Sequence, residues 1–245
     1  MLHPSGPRAH AHGLLALLLI AVAGCSAPAS SESDGADVAS AATIASAPDT
    51  RGFVTPDLTP AEEDAVVATY AQLDPQHLVA PSLLRSAVVY FDVNKAHLAN
   101  TRSMAIVDFS KSSSKFRFFL IDMASGDVAE HKVAHGSGSD PNGNGMATRF
   151  SDTDGSHMSS LGFVLGSEVY SGVHGRSLRL DGLSSTNASM RSRAIVIHGA
   201  AYVNDSSSDT GHSFGCFALD MRVKDAVIDA LHGGALLYAG RETGG

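Results

Sequence analysis

One segment, residues 195–219 (IVIHGAAYVNDSSSDTGHSFGCFAL), constrains the fold more than any other part of the chain. Its β-branched beginning predicts a buried strand, which would carry His198 to the point where the strand leaves the core. Gly211 and Gly215 predict a tight turn that leads into Cys216. We therefore expect a strand end and a turn to bring an imidazole and a thiol together.

This pair of side chains is suited to nucleophilic chemistry. A thiolate is a much stronger nucleophile than a thiol, and a neighbouring histidine is its usual activator. Cys216 would be the nucleophile and His198 the base. A glycine before the nucleophile allows a sharp turn, which would aim the amides of Gly215 and Cys216 at one oxyanion position. Taken singly, a buried inert cysteine and a structural histidine are the alternatives.

The N-terminus predicts export. Residues 14–23 (LLALLLIAVA) form an apolar run that is shorter than the roughly 18 residues of a spanning helix, which favours a signal sequence over an uncleaved anchor. Residues 22–25 (VAGC) resemble the lipobox of bacterial lipoproteins, which implies cleavage after Gly24 and lipidation of Cys25. Cys216 would then be the remaining thiol of the mature chain, and this favours a chemical role for it.

The chain then divides by composition. We expect a signal peptide at residues 1–24, a flexible Ala/Ser-rich tether at 25–52, a helical segment at 53–101 and a catalytic domain at 102–240. Ser26 follows the predicted lipidation site, and in Gram-negative bacteria a residue other than aspartate there favours the outer membrane. The predicted location is thus the cell envelope, on the periplasmic face.

Hydrophobic periodicity predicts a mainly β domain with helices at its ends. Thr59 and Pro60 mark a helix start whose buried stripe would be Val66, Val67, Tyr70 and Leu73, and a second helix would cover residues 81–92. Short β-branched and aromatic runs predict strands at 103–109, 116–122, 128–135, 161–165, 177–180, 193–198 and 235–238, with a hairpin at 125–126. A further helix is predicted at 221–231.

The order of several blocks resembles a known family. AIVDFSKSSSKFRFFLID, VAHGSGS, RAIVIHGAAYV, GHSFGC and GGALLYA occur in the order and spacing of the murein L,D-transpeptidase catalytic domain family, a branch of the YkuD-type L,D-transpeptidases. The resemblance covers residues 59–240 and implies a β-sandwich or barrel-like fold. It implies that Cys216 attacks the peptide bond before the terminal D-alanine of a peptidoglycan stem peptide, with His198 as base and the Gly199 carbonyl orienting the imidazole. No cofactor is implied.

The resemblance leaves the acceptor and the substrate contacts open. An amine would resolve the thioester as a transpeptidase product, and water would give carboxypeptidase activity. The chain has Phe214 and Phe217 around its Gly-Cys pair, and Phe217 is unusual for the family. We expect substrate contacts from four residues: Ser213, His212, Phe217 and Arg193. The alternative function is a peptidoglycan-binding lipoprotein that keeps the fold without turnover.

Other classes of ligand are disfavoured. The chain has 12 histidines, but their spacings match neither the H-E-x-x-H nor the C-x-x-C interval, so no metal is predicted. A net charge of −8 and the lack of a basic run argue against nucleic acid. Charged residues between positions 176 and 193 are expected at a solvated strand edge, with carboxylate recognition as the alternative.

Overall fold

The structure is a computed structural model that describes residues 50–207 and 210–242. The predicted signal sequence, Cys25 and the tether up to residue 49 lie outside the described residues. Among those residues, no helix is both long and apolar enough to cross a membrane.

A single eight-stranded sheet dominates the described part of the chain. Its strands are β1 (Ser103–Asp108), β2 (Phe118–Asp122), β3 (Val128–His131), β4 (Gly162–Gly172), β5 (Gly175–Gly182), β6 (Val196–Ala200), β7 (Phe217–Asp220) and β8 (Ala235–Gly240). They lie in the order β3-β2-β1-β8-β4-β5-β6-β7. Val133, just after β3, forms an antiparallel bridge with Leu219 of β7, so the two edges nearly close the sheet into a barrel. The predicted mainly β, barrel-like fold is confirmed.

Three helices accompany the sheet within the described residues: α1 (Pro60–Thr69), α2 (Pro81–Asn94) and α3 (Lys224–Leu231). The predicted start of α1 is confirmed, because Glu62 N donates to Thr59 Oγ1 and Thr59 N donates to the Glu62 carboxylate. The buried stripe predicted for this helix is only partly right, because two of its four residues lie beyond the helix. α1 ends at Thr69, so Tyr70 and Leu73 follow the helix and pack from the next turn.

The central strands are buried on both faces. In β1, Met104 and Ile106 pack with α2, whereas Ala105 and Val107 pack in the cluster that includes α3. Because adjacent strand residues point to opposite faces, a strand covered on both sides carries a continuous apolar run. This explains why the sequence of β1 is apolar throughout.

The predicted strand boundaries differ from the observed ones around the site. β4 runs to Gly172, beyond the predicted end at 165, and β3 ends at His131, before the predicted end at 135. β7 lies directly after Cys216, where no strand was predicted. Its four residues are too few to show a periodicity, and they form a strand only because β6 pairs with them.

An aromatic column fixes α2 on the sheet. The Tyr90 ring of α2 stacks on Phe163 at 3.7 Å between centroids, and Phe163 stacks on Tyr238 at 4.5 Å. Burial raises the pKa of Tyr90 to about 12, and its hydroxyl has no hydrogen-bond partner among the described residues. The ring of Tyr90 therefore contributes packing, while its hydroxyl is an uncompensated buried polar group.

We predict that Tyr90→Ala and Tyr90→Phe have opposite consequences. Loss of the ring in Tyr90→Ala should lower the free energy of unfolding by about 3–5 kcal/mol. Tyr90→Phe removes only the unpartnered hydroxyl and should leave that free energy unchanged or raise it by up to about 1 kcal/mol. Urea unfolding of both variants tests this, and a large loss in Tyr90→Phe would contradict the assignment.

Candidate functional site

The two predicted reactive side chains lie on neighbouring parallel strands. β6 and β7 pair so that His198 stands opposite Ala218. Cys216 lies two residues before Ala218, and side chains two residues apart along an extended chain share a face of the sheet. Cys216 and His198 are thus diagonal neighbours on one face of this parallel pair. The strand pairing brings the predicted dyad together.

One edge of the His198 ring is held by the backbone. His198 is fully buried, and its Nδ1 lies 3.0 Å from the carbonyl oxygen of Gly199. A carbonyl oxygen can only accept, so Nδ1 must carry the proton and Nε2 is the basic nitrogen. This is the contact that we expected of Gly199, and it leaves the imidazole in the form that a general base requires.

The turn before the thiol depends on Gly215. Its φ is +122°, and a Cβ there would lie 2.8 Å from both Ile195 Cδ1 and Met158 O. Both the backbone conformation and the space therefore exclude a side chain. Only glycine brings the chain into Cys216 along this path.

Ser213 closes the same turn from within. Its hydroxyl donates to Cys216 O at 2.8 Å and accepts from Gly215 N at 3.1 Å. Ser213 is fully buried and holds the turn in shape, and the contact with substrate that we expected of it stays a prediction. The Gly215 amide donates to Ser213, so it would have to break that hydrogen bond before it could donate to an oxyanion. The Cys216 amide remains the predicted oxyanion donor.

A neighbouring segment, residues 133–137, supports the turn. Ser213 N donates to His135 O at 3.0 Å, and Ser137 N donates to Ser213 O at 2.8 Å. Ala134 N donates to Ala218 O at 2.9 Å, so the contact continues along β7. Residues 133–137 therefore act as a backbone support for the nucleophile turn.

A buried arginine lies beneath this segment. Arg117 donates to Val133 O from Nε at 3.1 Å and from Nη2 at 2.7 Å, and to Lys111 O from Nη1 at 3.0 Å. Its Nη2 also lies 2.7 Å from His135 Nδ1. Burial lowers the pKa of Arg117 to about 9, so the group remains charged at neutral pH. Its charge is compensated by these acceptors.

Three side chains form a cluster that the sequence spacing did not suggest. The ligand atoms of His135, Asp140 and His212 lie within 4.8 Å of one another, with His212 Nε2 3.3 Å from Asp140 Oδ2. The distances would suit a cation. However, Arg117 donates to His135 Nδ1, which leaves the proton on Nε2, the atom that would have to bind the metal. Burial and the charge of Arg117 lower the pKa of His135 to about 3, so this histidine is neutral. Its one ring proton is on Nε2, where it prevents that nitrogen from binding a metal.

The cluster therefore fits a hydrogen-bond network better than a metal site. Although burial alone would raise the pKa of Asp140, backbone amides of Asn144 and Gly145 and the His212 side chain lower it. His212, which we expected to contact substrate, is turned toward this carboxylate while keeping part of its ring exposed. It packs edge-on against His135 at 5.0 Å. Its observed contacts tie the nucleophile turn to the loop at residue 140.

The thiol itself has a backbone partner. Cys216 is a free cysteine, 8% exposed, and its Sγ lies 3.7 Å from Ala194 O. Ala194 has φ +54°, a conformation that residues other than glycine adopt at a cost. In this contact the thiol acts as the donor, because a carbonyl oxygen can only accept. No feature of the sequence marked Ala194.

The fold buries two further side chains from which we expected substrate contacts. Phe217 is 1% exposed and lies in the core, 6.2 Å from the Phe109 ring, because alternation along β7 turns it away from the face of Cys216. The Arg193 side chain is 3% exposed and donates to Ser151 O and Met158 O. Phe217 thus fills the core, and Arg193 holds the loop at residues 151–160 in place.

The remaining charged residues of the cluster at 176–193 are paired. Arg191 donates to both oxygens of Glu168 at 2.8 and 2.9 Å and also to Asp181, while Arg179 lies 3.4 Å from Glu168. Burial would raise the pKa of Glu168, but the Arg191 hydrogen bonds lower it. Arg176 is paired with α3. The ion pairs support the prediction of a charged strand edge over carboxylate recognition.

Two aromatic contacts at the site involve histidines that the sequence did not assign. The ring of His174 stacks on His198 at 4.1 Å between centroids, and the ring of His157 stacks on Phe214 at 4.1 Å. His157 and His174 are far from the dyad along the chain, so no local pattern could have marked them. Only the folded hairpin and loop bring them to the site.

Comparison with known proteins identifies the family to which the chain is similar. A family model described as the L,D-transpeptidase catalytic domain matches residues 75–239. A search of curated proteins finds no match. Among solved structures, the chain is similar to an L,D-transpeptidase from Mycobacterium smegmatis, with 11% identity, 57% of this chain and 58% of that chain covered, and a TM-score of 0.37.

Two other solved structures are similar at the same level. An L,D-transpeptidase from Xylanimonas cellulosilytica gives 13% identity, 62% and 69% coverage of the two chains, and a TM-score of 0.35. The helical cell shape determining protein Pgp2 from Campylobacter jejuni gives 12% identity, with 60% of this chain and 50% of that chain covered, and a TM-score of 0.36. The chain covers less than two thirds of the M. smegmatis and C. jejuni chains. At such identities and TM-scores these likenesses carry no argument about function.

We predict that Gly215→Ala is far more costly than Gly155→Ala. Gly155 also has a positive φ, +69°, but a Cβ there would meet nothing within 4 Å. Gly155→Ala should therefore lower the free energy of unfolding by about 1 kcal/mol, the cost of placing alanine in this backbone conformation. Gly215→Ala should cost about 1–3 kcal/mol more because of the clash with Ile195 and Met158.

Urea unfolding of the two variants measures this difference directly. The rate at which an alkylating reagent modifies Cys216 in the folded protein should also change in Gly215→Ala and remain unchanged in Gly155→Ala. Equal losses of stability in the two variants would show that the turn tolerates a side chain at Gly215.

Proposed function

This chain belongs to the L,D-transpeptidase catalytic domain family, and we propose that it is a cysteine acyltransferase acting on peptidoglycan stem peptides. The observation that carries the proposal is the register of β6 and β7, which sets His198 opposite Ala218, two residues after Cys216. The imidazole is already in the tautomer with a basic Nε2, because its Nδ1 donates to Gly199 O.

The first chemical step is activation and attack. His198 Nε2 takes the proton of Cys216, and the Sγ electron pair attacks the carbonyl carbon of the bond between a diamino acid and the terminal D-alanine. The thiol gives up its contact with Ala194 O as it loses its proton. The C–O double bond opens to an oxyanion, for which the Cys216 amide is the proposed donor.

Collapse of this intermediate releases D-alanine. The C–N bond breaks, and the imidazolium of His198 returns the proton to the leaving amine, so that a thioester on Cys216 remains. An acceptor amine then attacks the thioester carbonyl and loses its proton to His198, the C–S bond breaks, and the imidazolium returns that proton to the leaving sulfur. The product of an amine is cross-linked or attached, and water reacting in the same way gives a carboxypeptidase product. Both outcomes regenerate the thiol.

One observation favours a second candidate function. Cys216 is 8% exposed, and the Gly215 amide is engaged by Ser213, so the resting site offers a substrate little open thiol surface. A peptidoglycan-binding lipoprotein that keeps this fold without turnover would need neither an accessible Cys216 thiol nor a free Gly215 amide. The two functions differ in whether Cys216 forms a thioester.

We predict that a stem tetrapeptide acylates the domain that begins near residue 52. Intact mass spectrometry should detect an adduct on Cys216 or release of D-alanine, and both should be lost in Cys216→Ala. His198→Ala should lower the rate by roughly 10²–10⁴-fold, the usual contribution of a general base. Folding of both variants is checked by circular dichroism and urea unfolding.

The control for these variants is Tyr90→Phe, which lies on α2 and away from β6 and β7. It should react at the wild-type rate. If the folded wild-type protein gives neither adduct nor D-alanine with the correct diamino acid, the enzyme proposal fails. Retained binding of the peptide would then support the peptidoglycan-binding lipoprotein.

We also propose that the mature chain is tethered to the membrane through lipidated Cys25. The support is the lipobox-like sequence at residues 22–25 and the polar, Ala/Ser-rich composition that follows it. The tether would let the catalytic domain search peptidoglycan from the periplasmic face of a bacterial membrane, the outer one being the favoured location.

We predict that Cys25→Ser releases the protein from the membrane fraction of a bacterial expression host. The wild-type N-terminal peptide should carry the mass of a lipid, and the variant should retain an uncleaved or unlipidated N-terminus. Ser26→Ala is the matched control and should remain in the membrane fraction. Recovery of unlipidated wild-type protein in the soluble fraction would overturn the anchor.

A further inference from the structure

We propose that Arg193 is a positioning residue for Cys216: its guanidinium holds the loop at residues 151–160 against the turn that carries the thiol. The inference deepens the proposed function and rests on it in so far as Cys216 is the nucleophile. The sequence alone predicted a substrate contact for Arg193, whereas its side chain is 3% exposed. The role proposed here acts through the protein and needs no contact with substrate.

The guanidinium reaches across the whole loop. Its Nη1 donates to Ser151 O at 2.9 Å and to Ser160 Oγ at 2.8 Å. Its Nη2 donates to Met158 O at 2.7 Å and to Ser156 Oγ at 3.4 Å. One nitrogen thus holds the two ends of the loop, and the other holds its middle. We call Arg193 and these four acceptors the clamp.

The middle of the loop lies directly against the nucleophile turn. A Cβ on Gly215 would lie 2.8 Å from Met158 O and 3.4 Å from the guanidinium Nη2. The oxygen that accepts from Arg193 is therefore the one that contacts Gly215. The ring of His157, the residue before Met158, stacks on Phe214 at 4.1 Å between centroids, with the ring planes 10° apart. The loop consequently contacts both residues that precede the nucleophile.

The backbone beside Arg193 reaches the thiol itself. Ala194 O lies 3.7 Å from Cys216 Sγ, and Ala194 has φ +54°. Two backbone hydrogen bonds within residues 189–194, at 2.9 and 3.0 Å, hold this conformation. Because Arg193 and Ala194 are adjacent, a change in the position of the clamp is transmitted to this carbonyl. Arg193 is therefore connected to the thiol by two routes, through Gly215 and through Ala194.

The loop has a second anchor, which does not depend on Arg193. Gly138 N donates to His157 O at 2.9 Å, and Gly136 N donates to Ser159 Oγ at 3.0 Å. His157 has φ +52°, a conformation that persists only where the surrounding structure holds it. Loss of the guanidinium should therefore loosen the loop beside the nucleophile turn without removing the loop from the fold.

A loosened turn affects the rate of reaction more than the binding of substrate. Attack requires the reacting atoms to be close and correctly directed, and a misplacement of about 1 Å costs about 10²-fold in rate. The clamp acts on the position of Sγ, while its own donors are directed to the loop. We therefore expect Arg193 to influence kcat and to leave KM unchanged.

The test compares Arg193→Met, Arg193→Lys and Arg191→Met in the full chain. Arg193→Met removes every donor, and Arg193→Lys keeps the charge but replaces the planar fork by a single ammonium. Arg191 lies two residues earlier, and its guanidinium pairs with Glu168 of β4 and Asp181 of β5. Arg191→Met therefore removes comparable hydrogen bonds from the same segment, away from the loop. Urea unfolding measures the stability of each protein.

The first readout needs no activity. Alkylation of Cys216 by iodoacetamide, at one fixed pH and without urea, is located by mass spectrometry of the labelled peptide. It should be about tenfold faster in both Arg193 variants than in the wild type, because opening of the loop no longer breaks the hydrogen bonds of the guanidinium. Arg191→Met should react at the wild-type rate. An unchanged rate in Arg193→Met, or an equal acceleration in Arg191→Met, would overturn the clamp.

The second readout is turnover of a stem tetrapeptide. In Arg193→Met, kcat should fall roughly 10–10²-fold with KM unchanged, and Arg191→Met should keep both constants. Arg193→Lys should resemble Arg193→Met. A rise in KM with unchanged kcat would make Arg193 a substrate contact and overturn the positioning role. Full recovery of kcat in Arg193→Lys would show that the charge matters and the fork does not, which would also overturn the clamp.

A milder variant keeps the proposal testable if Arg193→Met does not fold. Ser160→Ala removes one acceptor of Nη1 from the loop side. It should change the alkylation rate and kcat in the same directions by a smaller factor, and wild-type values of both quantities would overturn the clamp. Faster alkylation in the Arg193 variants, together with no turnover in the wild type, would retain the clamp and reject the proposed function.

Discussion

The parallel pairing of β6 with β7 is the constraint on which the rest of the site depends. Ile197 stands opposite Phe217, and His198 stands opposite Ala218. A shift of one residue in this register would turn His198 toward the core or Phe217 toward the cleft, since alternate residues face opposite sides of a strand. The core packing of Phe217 against Phe109 therefore also fixes the face on which the imidazole and the thiol meet.

The register is supported by buried polar groups at the seam of the barrel. Arg117 binds the carbonyl of Val133, the residue that bridges to Leu219 of β7. A buried cation is costly unless its donors are satisfied, and here backbone carbonyls and His135 accept from them. Burial and the charge of Arg117 together lower the pKa of His135 and keep it neutral, which makes the His135–Asp140–His212 cluster a poor cation site. The seam and the support of the nucleophile turn are thus one network.

The nucleophile turn combines a strained backbone with hydrogen bonds inside the turn. Gly215 has a positive φ in a space that admits no side chain, and Ser213 links both ends of the turn through one hydroxyl. Ala194, also at positive φ, directs its carbonyl to the thiol. Strained backbone near reactive groups is a common feature of functional sites, because the surrounding structure must hold it in place.

The sequence by itself determined the fold class, most of the helices and strands, and the family resemblance, which the family model matches. These depend on local signals: a capping box at Thr59, β-branched runs such as that of β1, and a glycine turn before Cys216. The tertiary structure alone decided which side chains meet. It buried Phe217 and Arg193, gathered His135, Asp140 and His212 from distant segments, and set His174 on His198. The physical reason is that strand register and barrel closure are cooperative properties of the whole sheet, so contacts between remote residues leave no periodic trace in the chain.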